Sequence, residues 1–299
     1  ERCRIEFVVG AWEKAFGLPS SSLRPVVYVG VPGDTRKLVI SLISAETYEV
    51  AGILKFALGK QADENIANEA ELLGALEQAG IRTCPRVLAW EPQSGLFIQS
   101  AVIGDLCGRA FTAKHRELLL SYRRPESIEI SAYAETLESS IDESALSLTQ
   151  QKLVGTALSA LRSGELRSGE LRSGGLRSGG RYPAFWIHGD FLPWNLKRCD
   201  GEIYAIDWEE GEIKGLPGQD LCHYHYMPAN LFNESLDATM LKSRDAFAPY
   251  GQAVGLGAQD FKPLLLAYLL KQVAVRAKRK EPEHLDFLAR AIEHTQAFA

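Results

Sequence analysis

Three patterns in this 299-residue chain predict an α+β fold. The first third is rich in β-branched runs separated by turn-forming residues, and apolar residues at helical spacing dominate after about residue 101. A further strand-turn-strand pattern interrupts the helical part near residue 200. The change of pattern divides the chain into two expected regions, 1–100 and 101–299.

In the first region, Val26-Val27-Tyr28-Val29 and Lys37-Leu38-Val39-Ile40-Ser41-Leu42-Ile43 read as strands joined by the turn-prone Val31-Pro32-Gly33-Asp34-Thr35. Gly52-Ile53-Leu54-Lys55-Phe56 reads as a third strand. From about Asp63 to Gly80, the spacing of Ile66, Leu72, Leu73 and Leu76 predicts a helix closed by Gly80. Leu96-Phe97-Ile98-Gln99-Ser100-Ala101-Val102, after the turn Gln93-Ser94-Gly95, is the expected last strand of this region.

In the second region, helices are expected over about Glu143 to Leu161, Leu264 to Lys278 and His284 to Ala297, with Pro263 and Pro282 as helix starts. Residues 161–180 repeat the unit Leu-Arg-Ser-Gly-Glu with small changes. A five-residue period suits neither a helix nor a strand, so the repeat is expected to be an expanded, solvated loop. Its four arginines could also meet an anion.

Composition narrows the classes of function. A hydrophobic content of 46% with 24% charged residues is ordinary for a folded globular chain, and a net charge of -5 argues against a general nucleic-acid binder. Cys3, Cys84, Cys107, Cys199 and Cys222 are scattered, odd in number and without a Cys-x-x-Cys pair, which fits reduced thiols better than a disulfide framework or a zinc site. No apolar run is long enough to span a bilayer and no signal-peptide core opens the chain, so no membrane partner and a cytoplasmic location are expected. The chain begins at Glu1 rather than Met, which reads as either a fragment or a trimmed chain.

The chemistry concentrates in His188-Gly189-Asp190-Phe191-Leu192-Pro193-Trp194-Asn195, followed by the turn Cys199-Asp200-Gly201 and the strand Ile203-Tyr204-Ala205-Ile206 that ends at Asp207. Asp190, Asn195 and Asp207 thus bring three oxygen-bearing side chains into one short segment. Phosphoryl transfer needs hard oxygen ligands for Mg²⁺ and a carboxylate facing the attacking hydroxyl. A chance His-x-Asp-x-x-x-x-Asn would occur in roughly one chain in a hundred of this length, so the strand-turn-strand context adds the specificity. The competing reading is a surface loop whose His and Asp cap one another.

His-Gly-Asp-x-x-x-x-Asn followed by a hydrophobic run and Asp resembles the catalytic core of the aminoglycoside phosphotransferase and choline kinase group. That resemblance implies a two-lobed protein-kinase-like fold, with a small β-rich lobe over 1–100 that binds nucleotide and a mainly helical lobe over 101–299 that holds the catalytic and acceptor sites. It implies Asp190 as catalytic base, Asn195 and Asp207 as Mg²⁺ ligands, and ATP, or GTP, as phosphoryl donor. Lys55 would hold the α and β phosphates and Glu69 would pair with it. By the residues alone, the competing reading of Lys55 is a snorkelling surface lysine, and Glu71 competes with Glu69.

Further roles follow from the same resemblance. Gly30 and Gly33 lie in the candidate phosphate-covering turn Gly30-Val31-Pro32-Gly33-Asp34-Thr35-Arg36-Lys37, although an ordinary hairpin turn fits it as well. Backbone groups from Gln99 to Ala101 would bind the base edge. His188 is expected to support the loop rather than move a proton. Asp220, in Pro217-Gly218-Gln219-Asp220-Leu221, is expected to be structural at a helix start.

Trp208, Glu209, Glu210, Tyr224 and Tyr226 are candidates for the acceptor site, where acidic and aromatic groups suit a cation, or else they are scaffold. His223-x-His225 lacks a third metal ligand nearby and reads as buried polar aromatics. Gly59-Lys60 is followed by Gln61 and lacks the upstream glycine of a Walker-type loop.

Only twelve residues separate Asp207 from Asp220 and no Ala-Pro-Glu occurs, so a peptide-binding activation segment has no room and a small-molecule acceptor is expected. The reading is therefore an ATP- and Mg²⁺-dependent phosphotransferase acting on a hydroxyl of an aminoglycoside, sugar or amino alcohol. Its alternatives are a catalytically silent nucleotide-binding regulator and, behind that, a metal-dependent hydrolase. Neither the acceptor nor the oligomeric state is specified by these motifs.

Overall fold

The computed structural model describes residues 13–15, 17, 19–163 and 180–298. These form two compact units: the chain up to Ala110 together with His188–Glu212, and Phe111–Ile187 together with the residues from Ile213 onward. A single cut at residue 100 therefore does not divide the chain. The first unit runs on to Ala110 and takes in the segment from His188, because strand pairing and the Lys55–Asp207 ion pair tie these pieces together.

In the first unit, β1 (Leu23–Val29), β2 (Lys37–Ser44), β3 (Val50–Ala57), β4 (Val87–Glu91) and β5 (Leu96–Ser100) form one sheet in the order β1-β2-β3-β5-β4, with every neighbouring pair antiparallel. Alternation along the strands gives the sheet two faces. Leu23, Leu42, Leu54, Leu96 and Ile98 make the core on one of them, with Ile40, Phe56 and Ala89 packed alongside. Lys55 lies on the other face, opposite Val39 on β2 and Phe97 on β5.

Against that second face packs α1 (Lys60–Gln78), whose buried residues Ile66, Glu69, Ala70, Leu73 and Leu76 recur at spacings of three and four. The helix ends where Gly80 takes φ +81° and the Ile81 amide donates to the Leu76 carbonyl at 3.0 Å, a closure that glycine allows without strain. The unit is completed by a second sheet in which β9 (Leu196–Cys199) lies between β10 (Glu202–Ala205) and the short β6 (Asp105–Leu106). The hairpin reverses at Asp200 and Gly201, with φ of 51° and 80°, the left-handed pair that tight two-residue turns require.

The second unit holds a three-stranded sheet in the order β11-β8-β7, with β7 at Arg123–Glu129, β8 at Arg181–Ile187 and β11 at Glu212–Gly215. Its helices are α2 (Ala113–Ser121), α3 (Ile130–Ser140), α4 (Leu148–Ser163), α5 (Gln219–Leu231), α6 (Leu236–Ala253), α7 (Phe261–Arg279) and α8 (Pro282–Ala297). Helix α7 is buried along most of its length, including Leu264, Leu265, Leu266, Leu269 and Leu270.

The helix expected from Glu143 begins later. A single 3₁₀ turn at Glu143–Ala145 precedes α4, and Ser147 and Gln150 form a reciprocal cap in which each backbone amide meets the other's side-chain oxygen at 2.9 and 3.3 Å, restarting the helix at Leu148. Pro282 opens α8 at its first turn, while α7 starts at Phe261, ahead of Pro263. Of the repeat, only Leu161–Ser163, at the end of α4, and Gly180 are described, so the expected loop lies outside the described residues. Among the described residues, no helix is long and apolar enough to cross a membrane.

Candidate active site

The first unit brings together side chains from β2, β3, α1 and the segment after β10. Lys55 is 4% exposed and Glu69 is fully buried, and the Lys55 ammonium lies 2.6 Å from Glu69 Oε2 and 2.6 Å from Asp207 Oδ1. Burial opposes the charge on Lys55, but Glu69 and Asp207 outweigh it and hold the ammonium well above its usual range. Burial also works against an ionised Asp207, yet Lys55 and then Lys37 hold that carboxyl well below the ordinary carboxylate range. For Glu69, burial pushes the carboxyl up against the pull of Lys55.

Glu69 fixes more than the lysine. Its Oε1 accepts from the Trp208 backbone amide at 3.2 Å, so one buried carboxylate ties β3, α1 and the residue after Asp207 into a single frame. Asn68, one residue earlier on α1, donates to the carbonyls of Glu209 and Gly211, each at 3.0 Å. Glu71 is exposed, which settles the helix face that the sequence left open. Asp207 itself has φ +66°, a conformation that costs a non-glycine residue energy and here points its carboxylate at Lys55.

The loop preceding β9 is held from both ends. The His188 ring is buried, its Nδ1 accepting from the Asp190 amide at 3.3 Å and its Nε2 lying 2.9 Å from the Ile206 carbonyl, so the proton sits on Nε2. It packs against Trp208 with ring centroids 4.7 Å apart. Gly189 has φ +81°, and a Cβ there would lie 2.1 Å from the Glu210 carbonyl oxygen, so no other residue fits without moving backbone. Asn195 closes a 3₁₀ turn at Pro193–Asn195 and donates its Nδ2 to Asp190 Oδ2 at 2.7 Å and to the Asp190 carbonyl at 3.0 Å. With its nitrogen engaged on Asp190, the amide oxygen of Asn195 is the atom left for a cation.

Gly30 and Gly33 sit at the β1–β2 turn. The Gly30 amide donates to the Lys37 carbonyl at 2.9 Å, and Gly33 has φ +146°. The turn is pinned to the start of α1: the Asp34 carbonyl accepts from the Ala62 amide at 2.9 Å, and a Cβ on Gly59 would lie 2.3 Å from that oxygen. Gly59 thus has a packing reason, independent of any phosphate loop. Gln99 lies on the Lys55 face opposite Ile53, is 4% exposed, and its buried Oε1 has no hydrogen-bond partner. Ala101 follows β5 and is half-buried.

Three acceptor candidates are corrected by burial. Trp208 is completely buried, donates its indole N–H to the Ala205 carbonyl at 2.9 Å and packs on His188, so it presents no surface to a substrate. Tyr224 is buried in a ring cluster with Phe111, His115 and His225, and Tyr226 is buried with its hydroxyl on the Met240 sulfur. Glu209 is instead hydrogen-bonded to Lys37. His223 pairs with the Tyr268 hydroxyl at 3.3 Å, and Asp220 is buried in the first turn of α5.

Lys37, which the sequence marks only as the end of the candidate phosphate-covering turn and gives no role of its own, is the principal addition. Its ammonium is hydrogen-bonded to Glu209 Oε2 and lies 3.7 Å from Asp207 Oδ1. Alternation along β2 places Lys37 on the face of Val39, but only the register across the β2–β3 connection, with its irregularity between Leu42 and Ile43, puts that face beside Lys55. Asn68 is likewise invisible in sequence because its partners are backbone carbonyls far along the chain.

The donor set is one of hard oxygens, Asn195 Oδ1 and an ionised Asp207, which fits Mg²⁺. Among the described residues, no cluster of three or more His, Cys, Asp or Glu could hold a metal by itself. Mg²⁺ characteristically completes its shell with phosphate oxygens and water rather than with a full protein cage, so the sparse set suits a metal that arrives with a nucleotide. The orphaned Gln99 Oε1, on the face that carries Lys55, suits a ligand with a hydrogen-bond donor.

No family model matches the sequence, and no curated protein matches it. Solved structures do match. A choline kinase from Streptococcus pneumoniae has a TM-score of 0.60 and 16% identity, with 99% of this chain and 100% of that chain covered. A choline kinase from Cryptosporidium parvum has a TM-score of 0.54 and 13% identity, with 98% and 94% covered. The GDP complex of aminoglycoside 2'-phosphotransferase-IIIa has a TM-score of 0.56 and 14% identity, with 91% and 94% covered. At these identities the likeness is one of fold, and the chain has the kinase-like α+β fold of these phosphotransferases.

Proposed function

We propose that this protein is a phosphotransferase that moves the γ-phosphoryl group of a Mg²⁺-bound nucleoside triphosphate to a hydroxyl of a small molecule. The observation that carries the reading is the ion-pair chain Glu69–Lys55–Asp207, buried at Glu69 and Lys55 and partly exposed at Asp207, lying in the same compact unit as the hydrogen-bonded pair Asp190–Asn195. A structural ion pair needs neither a strained Asp207 nor an asparagine amide turned onto a carboxylate, and phosphoryl transfer needs both a cation-binding oxygen set and an oriented base.

Lys55, held in place by Glu69, would contact the nucleotide phosphates. Asn195 and Asp207 would hold Mg²⁺, which when bound supplies neutralisation of phosphate charge. Asp190 would accept the proton of the acceptor hydroxyl as that oxygen bonds to the γ-phosphorus and the bond to the β-phosphate oxygen breaks, releasing nucleoside diphosphate. Asn195 fixes the carboxylate of this base through Oδ2, so the rotamer of Asp190 is set before a substrate arrives. His188 acts by holding the loop, since both its ring nitrogens are engaged with backbone.

The fold shared with choline kinases and an aminoglycoside phosphotransferase supports a small hydroxyl-bearing acceptor, as does the short connection between Asp207 and α5. That the aminoglycoside enzyme was solved with GDP makes GTP a donor to test beside ATP. The testing experiment is Mg²⁺-dependent release of ADP and GDP across sugars, aminoglycosides and amino alcohols, with Asp190→Ala alongside. Acceptor-stimulated release that the variant lacks is the expected result, and nucleotide binding without turnover on any acceptor would shift the reading to a silent regulator.

A further inference from the structure

Lys37 is a second lysine among the site's carboxylates, and none of the roles above uses it. It is 17% exposed, hydrogen-bonded to Glu209, which is 20% exposed, and 3.7 Å from the Asp207 oxygen that also receives Lys55. It is also the residue at which the glycine turn closes, since its carbonyl accepts from the Gly30 amide at 2.9 Å. The turn is held in place by the Asp34–Ala62 backbone bond to α1, so the base of the turn and the Lys55 frame are parts of one assembly.

The charge balance shows what a nucleotide would change. Lys55 and Lys37 face three carboxylates, those of Glu69, Asp207 and Glu209. If Asp207 turns its oxygen to a divalent cation, Lys37 loses one of its two anions and gains a like charge nearby. A partly buried ammonium then needs another anion, and a polyphosphate beneath the glycine turn supplies one.

Resting on the phosphotransferase reading, we propose that Lys37 is a second phosphate-contacting residue, and that Glu209 is its resting partner, which it leaves for the polyphosphate when a nucleotide binds. Lys37 and Glu209 thus form an exchangeable pair: the glutamate competes with the nucleotide for the lysine. The two partners therefore have opposite effects on affinity, which a merely structural ion pair would not produce.

The test is calorimetric titration of Mg²⁺-ATP and Mg²⁺-GTP into the wild type, Lys37→Gln, Glu209→Gln and the double variant, with thermal melts to confirm folding. Losing a charge-assisted contact to phosphate is expected to weaken the preferred triphosphate by about tenfold or more in Lys37→Gln. Glu209→Gln is expected to bind it more tightly than the wild type, and this gain is expected to vanish in the double variant. Unchanged affinity in folded Lys37→Gln, or no gain in Glu209→Gln, would overturn the exchange while leaving the phosphotransferase reading intact. A wild type that binds neither nucleotide would overturn both.

Discussion

Replacing Glu69 by Gln tests the buried frame on which the site depends. The substitution keeps the shape and leaves an amide oxygen for the Trp208 backbone N–H, but it removes one of the two anions around an ammonium that is 4% exposed. Breaking a buried pair by removing one partner costs about 3–5 kcal/mol, and because Lys55 retains Asp207, the lower end, about 3 kcal/mol, is expected. A domain with an ordinary stability of about 5–15 kcal/mol survives that loss, so the variant should fold and be measurable. Glu71→Gln, two residues away and exposed, should stay within about 0.5 kcal/mol of the wild type. Urea unfolding followed by tryptophan fluorescence gives both values. If Glu69→Gln unfolds at the wild-type midpoint, or if Glu71→Gln carries the larger cost, the ion-pair frame or the phase of α1 is wrong.

Gly189→Ala combines a left-handed φ of +81° with a Cβ placed 2.1 Å from the Glu210 carbonyl, so a loss of at least about 2 kcal/mol in unfolding free energy is expected, together with loss of turnover as Asp190 moves. His225 supplies a pH test. Burial and then the Lys242 charge depress its imidazole from the ordinary 6.5 to about 4, against a smaller opposing effect of Glu234. The unfolded chain takes up that proton first, so the stabilising contribution is complete above pH 6.5 and is lost as pH falls towards about 4. The loss amounts to as much as about 3 kcal/mol. Denaturation midpoints measured from pH 7 to pH 4.5 should fall, and the fall should be shallower in His225→Gln; equal slopes in the two proteins would contradict the assignment.

Much of the site was legible because its chemistry is local in sequence. Asp190 and Asn195 lie within one turn of chain, and the Cys199-Asp200-Gly201 reversal announces the hairpin that leads to Asp207. Glu69 was legible in principle: it lies three residues after Ile66 and four before Leu73, on the apolar stripe of α1, whereas Glu71 falls off it. A charged residue on such a stripe calls for a buried partner, and Lys55 is that partner. The restart of the helix at Leu148 was also written in the Ser147–Gln150 cap.

What sequence could not supply depends on long-range register. Lys37 joins the site only because β2 pairs with β3 in one register, and a slip of one residue would turn its side chain to the other face. The aromatic residues failed for a different reason. Trp208 and Tyr224 follow acidic motif residues and would suit a cation, but an aromatic ring serves a core as readily as a binding site, and here both rings are buried among other rings. The grouping of His188–Glu212 with the amino-terminal strands depends on an ion pair and a buried hydrogen bond between residues more than a hundred positions apart, which no local pattern encodes.

The central claim is transfer of a phosphoryl group to an acceptor rather than to water, and the most direct measurement follows the label. Triphosphate carrying a radioactive γ-phosphorus is incubated with Mg²⁺, the acceptor that best stimulates diphosphate release, and either the wild type or Asp190→Asn. The account predicts label covalently attached to the acceptor in the wild-type reaction, and its near-complete loss in a variant that still binds nucleotide. Label recovered only as inorganic phosphate, or equal transfer by Asp190→Asn, would contradict it.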